Sequence, residues 1–323
     1  MPPLSTIHRT RSGCLKLVLC AALALTGCSL TPLAKHTVAF STATNLVVTN
    51  SEDAYRAAIK LHELEQAPDF VARYQSETNF NPYDWKQPKP PLITPEGLKT
   101  RVELLDSLRV YAQSLVEVAN GGDTVALNAA AKSLGGSLNG LTTAINTDMA
   151  GGKGSTSTGL TMSDKVAPGV ATGIKALADY LVNKKVQKSL PPILEKMDEP
   201  VRNIATLLES DVTILRRQTK DDYEQIVSHR DNFIRKNLTS LSSIEREHAI
   251  EQLPVLIAEQ QRADMLLEAL SKAIRDLALT HHALAAAAQH NNPVSLADRI
   301  HDLENSEAEL AKFYQSLQSK EQK

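Results

Sequence analysis

Cysteine is nearly missing from this chain. Cys14, Cys20 and Cys28 are the whole complement, and no thiol follows residue 28. Disulfides and thiolate metal sites are thereby excluded from the bulk of the protein. Aromatics are scarce as well, with five Phe, seven Tyr and one Trp in 323 residues. β-rich domains draw heavily on aromatic and β-branched side chains, whereas this chain is rich in Ala, Leu, Glu, Lys and Gln, all strong helix formers. Charge of one sign is not in excess either, the formal net charge being −2. Such a surface offers no electrostatic reason to bind nucleic acid. Catalytic motifs are absent too: there is no Gly-x-Ser-x-Gly elbow, His-Glu-x-x-His, P-loop or dinucleotide glycine pattern. The sequence therefore gives no catalytic residue, cofactor or metal assignment, and we expect a protein that is not an enzyme.

What is present begins at the N-terminus. Arg9, Arg11 and Lys16 form a basic flank without an acidic residue, and Leu17–Leu25 is an uncharged apolar core of nine residues. A spanning helix needs roughly 20, so the run reads as a signal-peptide core. Leu25-Thr26-Gly27-Cys28 follows, and here the chain resembles the lipobox of bacterial lipoproteins. The resemblance covers about the first thirty residues. It implies cleavage between Gly27 and Cys28, diacylglycerol on the Cys28 sulfur and, commonly, acylation of the new N-terminus. Several acyl chains anchor stably where one does not. Ser29 after the lipid cysteine, rather than Asp, implies the periplasmic face of an outer membrane in a Gram-negative host. An ordinary secretory signal with an incidental cysteine is the plain alternative. Without residues 1–27, which carry three basic and no acidic side chains, the remainder has 32 basic against 37 acidic residues, a net −5.

The rest is expected to be all-α, a single elongated antiparallel bundle over 36–323 with coiled-coil-like long helices, joined to the lipid by a tether over 28–35. Residues 36–74 show helical spacing through Phe40, Ala43, Val47, Ala54, Ala58, Leu61 and Leu64, with Pro68 a break or kink. An irregular, proline-rich loop follows at 78–95. Thr94-Pro95-Glu96 starts a second helix with a capping residue, a first-turn proline and an acidic residue at the positive dipole end. Its stripe, Leu98, Leu105, Leu108, Ala112 and Leu115, is interrupted only by Arg101. Asn120-Gly121-Gly122 stops it. A third helix carries Leu127, Ala131, Leu134, Leu138, Leu141 and Ile145, and the short interval makes an antiparallel hairpin. Residues 149–161 read as a flexible Gly/Ser/Thr loop, and 163–190 as a fourth helix. Beyond Pro191-Pro192 the stripe Leu194, Met197, Val201, Ile204, Leu208, Val212 and Leu215 fades over 216–225 and resumes at Ile226. That is either one very long helix or two. Ser242-Ser243-Ile244-Glu245 matches a capping box. It opens the cleanest heptad pattern: Leu256, Gln260, Ala263, Leu267, Leu270, Ile274, Leu277, His281, Leu284 and Ala288. A last helix starts at Ser295.

Four local features bear on function. Phe70, Tyr74, Phe80, Tyr83 and Trp85 gather five aromatics within sixteen residues. Phe80, Tyr83 and Trp85 form a candidate partner surface, or alternatively a plug for the end of the bundle. Residues 124–147 contain a single charge, Lys132, and Gly135, Gly136 and Gly140 permit close helix approach. The segment is either a membrane-inserting hairpin or, more in keeping with Asn128, Asn139, Thr142 and Thr143, a core hairpin. Glu245-x-x-His248 and His301-x-x-Glu304 have the spacing of half a di-iron carboxylate site, but spacing alone does not assemble one. His281, on the apolar stripe, reads as a buried histidine with a hydrogen-bond partner that, with Gln260, fixes helix register. These features lead to an expectation of a membrane-anchored, non-enzymatic scaffold, adaptor or spacer that offers a helical face to an envelope protein. A membrane-perturbing helical protein is the alternative, and an envelope enzyme or ligand carrier stands third.

Overall fold

The computed structural model describes residues 32–79, 81–82, 92–122 and 190–290, together with 125–127, 129–130, 133–134, 136–137 and 140 and residues 298, 301 and 305. Cys28 and its flanks, Phe80, Tyr83, Trp85, the loop at 149–161 and all but the last residue of the helix expected at 163–190 lie outside them; Leu190 begins the next helix instead. Five helices are complete: α1 (Pro32–Glu65), α2 (Ala67–Ser76), α3 (Pro95–Ala119), α4 (Leu190–Lys236) and α5 (Ser243–His290). Among the described residues there is no strand, and the protein is an all-α bundle.

Local chemistry accounts for the helix ends. Thr94 caps α3 by accepting from Gly97 N at 3.0 Å, with Pro95 in the first turn. At the other end Gly121 takes φ +87°, Gly121 N donates to Val118 O and Gly122 N to Glu117 O. This is a Schellman stop. A Cβ on Gly122 would lie 2.8 Å from Glu117 O, so both glycines are required. Ser242 and Glu245 cap α5 reciprocally: Ser242 N donates to Glu245 Oε2 at 2.9 Å, and Glu245 N donates to Ser242 Oγ at 3.3 Å.

Some boundaries differ from expectation. Helix α1 already begins at Pro32, which suits a first turn, so part of the tether is helical. The break after α1 falls at Gln66 rather than Pro68, because Pro68 is tolerated in the first turn of α2. Helix α2 buries no residue, and Leu64 at the end of α1 is 55% exposed. Residues 190–236 form one continuous helix, settling the choice left open by the faded stripe.

Side-chain pairs fix how the helices run. Tyr55 and His62 on α1 meet Asp211 and Asp222 on α4, in the same order along both, so these two helices are parallel. Arg101 meets Asp211, whereas Tyr111 meets His281 beside Asp198; α3 therefore opposes α4. Arg216 pairs with Asp264 and Glu268, Arg275 with Glu209, and His282 with Asp198, so α5 also opposes α4. Ser107 Oγ lies 2.8 Å from Ser133 Oγ and 3.2 Å from Ser137 Oγ, and Leu127, Ala130 and Leu134 are buried in the main core. The described part of 125–140 thus folds back along α3 as the antiparallel hairpin the short turn implies.

One apolar core runs through the bundle, built from Phe40, Val47 and Val48 of α1, Leu104, Leu105, Leu108 and Leu115 of α3, Leu194 to Leu215 of α4, and Leu266 to Ala285 of α5. It ends near Leu215 and Leu266, yet α4 and α5 continue. With 47 and 48 residues they are each about 70 Å long. Beyond Asp222, among the described residues, they pack only on each other as a two-helix arm, whose side chains are mostly exposed or half-buried apart from Ile234. No described helix is long and apolar enough to cross a membrane.

Candidate functional site

The chemistry-bearing side chains lie inside the bundle, in three polar layers spaced along α4. The first surrounds Asp198. His281, fully buried on α5, has Nε2 2.8 Å from the Tyr111 hydroxyl and packs edge-on to Phe40. Its Nδ1 is 3.7 Å from Asp198 Oδ1, an electrostatic contact too long for a hydrogen bond. His282 Nδ1 is 2.9 Å from Asp198 Oδ2, and Arg202 is 3.0 Å from the same oxygen. Burial pushes the Asp198 carboxyl up, but His281, His282 and Arg202 outweigh it and hold the pKa at about 2. Burial lowers His281 despite the opposing pull of Asp198, favouring the neutral ring. His281 is thus the partnered core histidine expected from its place on the stripe. Gln260, expected to act with it, sits on the arm, far along the same helix.

The second layer is an ion pair in the core. Arg101 Nε and Nη2 each donate to Asp211 at 2.8 Å, and the Tyr55 hydroxyl donates to Asp211 Oδ2 at 2.7 Å. Both charged side chains are 3% exposed. The guanidinium carbon lies 5.6 Å from the centre of the Tyr55 ring. Burial, then the Asp211 charge, drive the Tyr55 hydroxyl well above the usual phenol range, so it stays a donor.

The third layer closes the core at the root of the arm. His62, Glu65 and Asp222 are all buried and bring one ligand-capable atom each to within 4.8 Å of one another. His62 Nδ1 is 3.4 Å from Asp222 Oδ1, Gln66 Nε2 is 2.7 Å from His62 Nε2, and Gln218 Nε2 donates to Asp222 Oδ1 at 2.6 Å. Asp222 Oδ2 and Thr219 Oγ1, also buried, meet no hydrogen-bond donor or acceptor. A cavity of about 10 Å³ borders His62 and Gln218, walled by Ala58, Ile59, Leu92, Ile93 and Leu215. Among the described residues no other group of three His, Cys, Asp or Glu side chains converges in this way.

The half-motifs singled out by sequence fall elsewhere. Glu245 is committed to the α5 cap and His248 stands exposed on the arm beside Gln252. His301 is exposed. Of the aromatic group, Phe70 and Tyr74 stack on each other at 6.4 Å on α2, with Tyr74 61% exposed. His62-x-x-Glu65 was the visible signal for the third layer, being the reverse of Glu-x-x-His on a helix known to be amphipathic.

On the arm, Val227, Ser228, Asp231, Leu253, Ile257 and Gln260 border an open groove of about 350 Å³ between α4 and α5. Elsewhere on the arm's surface Phe233, Ile250, Val255 and Met265 are between 47% and 63% exposed, and Ile257 at the groove is 43% exposed. Comparison of the chain with protein-family models, with curated proteins and with solved structures returns no match.

Proposed function

We propose that the protein is a lipid-anchored envelope adaptor that carries its α4–α5 arm outward from the membrane to meet a partner protein. One observation carries this reading. The start of α1, at Pro32, lies only four positions past Cys28, and the tip of the arm, at Asn237–Ser242, lies at the opposite end of the described helices. Phe40 is level with Asp198 through His281. From Asp198 to Lys236, α4 runs on for a further ~57 Å at 1.5 Å per residue. An acylated Cys28 would hold the bundle at the bilayer and the arm tip far from it. The second support is the arm's surface, an apolar and charged groove that the described residues of the bundle leave uncovered.

Photo-crosslinking in intact cells, with the reactive residue at Phe233 or Ile257, is expected to yield one discrete protein adduct. The same group at Lys99 on the bundle surface is expected to yield none. Equal labelling from both faces, or none from the arm, refutes the adaptor role. Dye leakage from liposomes would instead favour membrane perturbation by the segment around Leu138 and Leu141. The anchor is checked separately by labelled palmitate, whose incorporation should vanish with Cys28→Ser.

A further inference from the structure

We infer that the third polar layer is a binding site for one divalent transition-metal ion, held by His62, Glu65 and Asp222, that clips α1 to α4 at the root of the arm. The donor set comes first. One imidazole nitrogen and two carboxylate oxygens suit Zn²⁺ and its neighbours in the first row, and no thiolate is needed. His62 and Glu65 stand three residues apart on one face of α1, and Asp222 reaches them from the parallel α4. This is a two-helix arrangement like those that build metal sites in bundle cores.

Geometry carries the inference further. The 3.4 Å between His62 Nδ1 and Asp222 Oδ1 is long for a hydrogen bond between a ring nitrogen and a carboxylate. It equals the edge of a tetrahedron whose metal–ligand bonds are 2.0–2.1 Å, an edge of about 3.4 Å. All three ligand atoms lie within 4.8 Å of one another, so modest rotamer adjustment brings Glu65 to the same centre. The second carboxylate oxygen of Asp222 and the hydroxyl of Thr219, one turn earlier on the same buried face, are polar atoms shut away from water without a hydrogen bond. Such atoms cost free energy unless something polar meets them, and a cation held by the Asp222 carboxylate offsets that cost at the carboxylate.

The surroundings have the form of an outer shell. Gln218 holds Asp222 by an N–H bond, and the Gln66 amide faces His62 Nε2. Turned so that its oxygen faces the ring, the Gln66 amide accepts Nε2–H and leaves the Nδ1 lone pair directed toward Asp222. A neighbouring cavity with room for about one water borders His62 and Gln218.

The test uses the full chain without an affinity tag, purified in detergent and stripped with chelator. Titration with Zn²⁺ by calorimetry is expected to give one equivalent per chain. Co²⁺ in its place is expected to give the visible absorption of a tetrahedral N/O site. Asp222→Asn, nearly isosteric, should weaken binding more than about 100-fold, and Gln218→Leu about 10–100-fold. The paired variant Glu245→Gln with His248→Gln, on the exposed arm, should bind as the parent does. If Asp222→Asn loses helical content, Glu65→Gln takes its place in the comparison. Absence of binding, binding retained in both buried-ligand variants, or loss in the exposed pair overturns the assignment. Arm crosslinking does not depend on this site, so either reading can fail without the other.

Discussion

Replacing Arg101 by Met removes the cation from the central layer while keeping a long apolar side chain of similar reach. Asp211, 3% exposed, then retains only the Tyr55 hydroxyl of its three short hydrogen bonds. A buried charge stripped of its partner costs about 3–5 kcal/mol, most of it the desolvation no longer offset. Adding Asp211→Leu removes that charge and strands the Tyr55 hydroxyl instead, a penalty of about 1–3 kcal/mol. Adding Tyr55→Phe removes the last orphan, and the triple variant should return to within about 1 kcal/mol of the parent. The stability order is therefore single below double below triple, the reverse of additive damage. Urea unfolding followed by far-ultraviolet circular dichroism measures it, provided the m-values agree across the series. A triple variant as unstable as Arg101→Met alone would refute the claim that the cost lies in unpaired burial. A single variant costing under about 1 kcal/mol would show that the layer is not dry.

Three further outcomes follow from the same structure. Acid should weaken the fold in two stages. His281 is held neutral, so stability present above its unfolded pKa of 6.5 falls as pH drops below it; Asp198 is held at about 2 against 3.8 unfolded, so its share is lost between about pH 4 and 2. The second stage amounts to at most about 2 kcal/mol, given screening at the exposed His282 and Arg202, and Asp198→Asn should abolish it in denaturant titrations at stepped pH. Leu108→Ala, 1% exposed within the bundle, should cost about 2–5 kcal/mol, whereas Ile257→Ala, 43% exposed on the arm, should cost under about 1 kcal/mol in the same unfolding assay. Ser242→Ala breaks the reciprocal cap of α5 and should cost about 1 kcal/mol, read locally as faster amide exchange in the first turn after Ser243.

Periodicity made most of the bundle legible, because a helix face that must be buried recurs every three or four residues whatever its partner. The stripes of α3, of α4 through Leu215 and of α5 from Leu267 all face the core. Even the irregularity at Arg101 was visible, as a charged residue standing where an apolar one was due. Its meaning was not, since Asp211 is 110 residues away and nothing local pairs them. The third layer was hidden more deeply. His62 and Asp222 are 160 residues apart and meet only because α1 runs parallel to α4, a pairing that no short loop could suggest. Glu245-x-x-His248 has the more familiar spacing, and that pair is exposed because, among the described residues, the arm has two helices and no third to bury it. The heptad pattern of α5 extends unbroken through Leu256 and Gln260, but a seam facing one helix looks in sequence like a face buried by three.

That same ambiguity gives the polar layers their use. A bundle of Leu and Ala stripes is tolerant of sliding, because advancing one helix by a turn exchanges one apolar contact for another. Asp198, Asp211 and Asp222 stand 13 and 11 residues apart on α4, roughly 20 and 16 Å along its axis, and each meets partners on different helices. Sliding α1 by one turn against α4 would part Tyr55 from Asp211 and His62 from Asp222 together. Sliding α3 would part Arg101 from Asp211 and Tyr111 from His281. Each misalignment leaves several polar groups buried without partners, at about 1–3 kcal/mol apiece and more for a charge. Among the described residues the long arm has no such layer beyond Asp222, and its direction is inherited from the bundle. For an arm that continues ~20 Å past its last buried carboxylate, at 1.5 Å per residue from Asp222 to Lys236, the layer at its root decides where the tip points. A metal ion joining α1 to α4 at that root would fix the aim of the arm as well as the local fold.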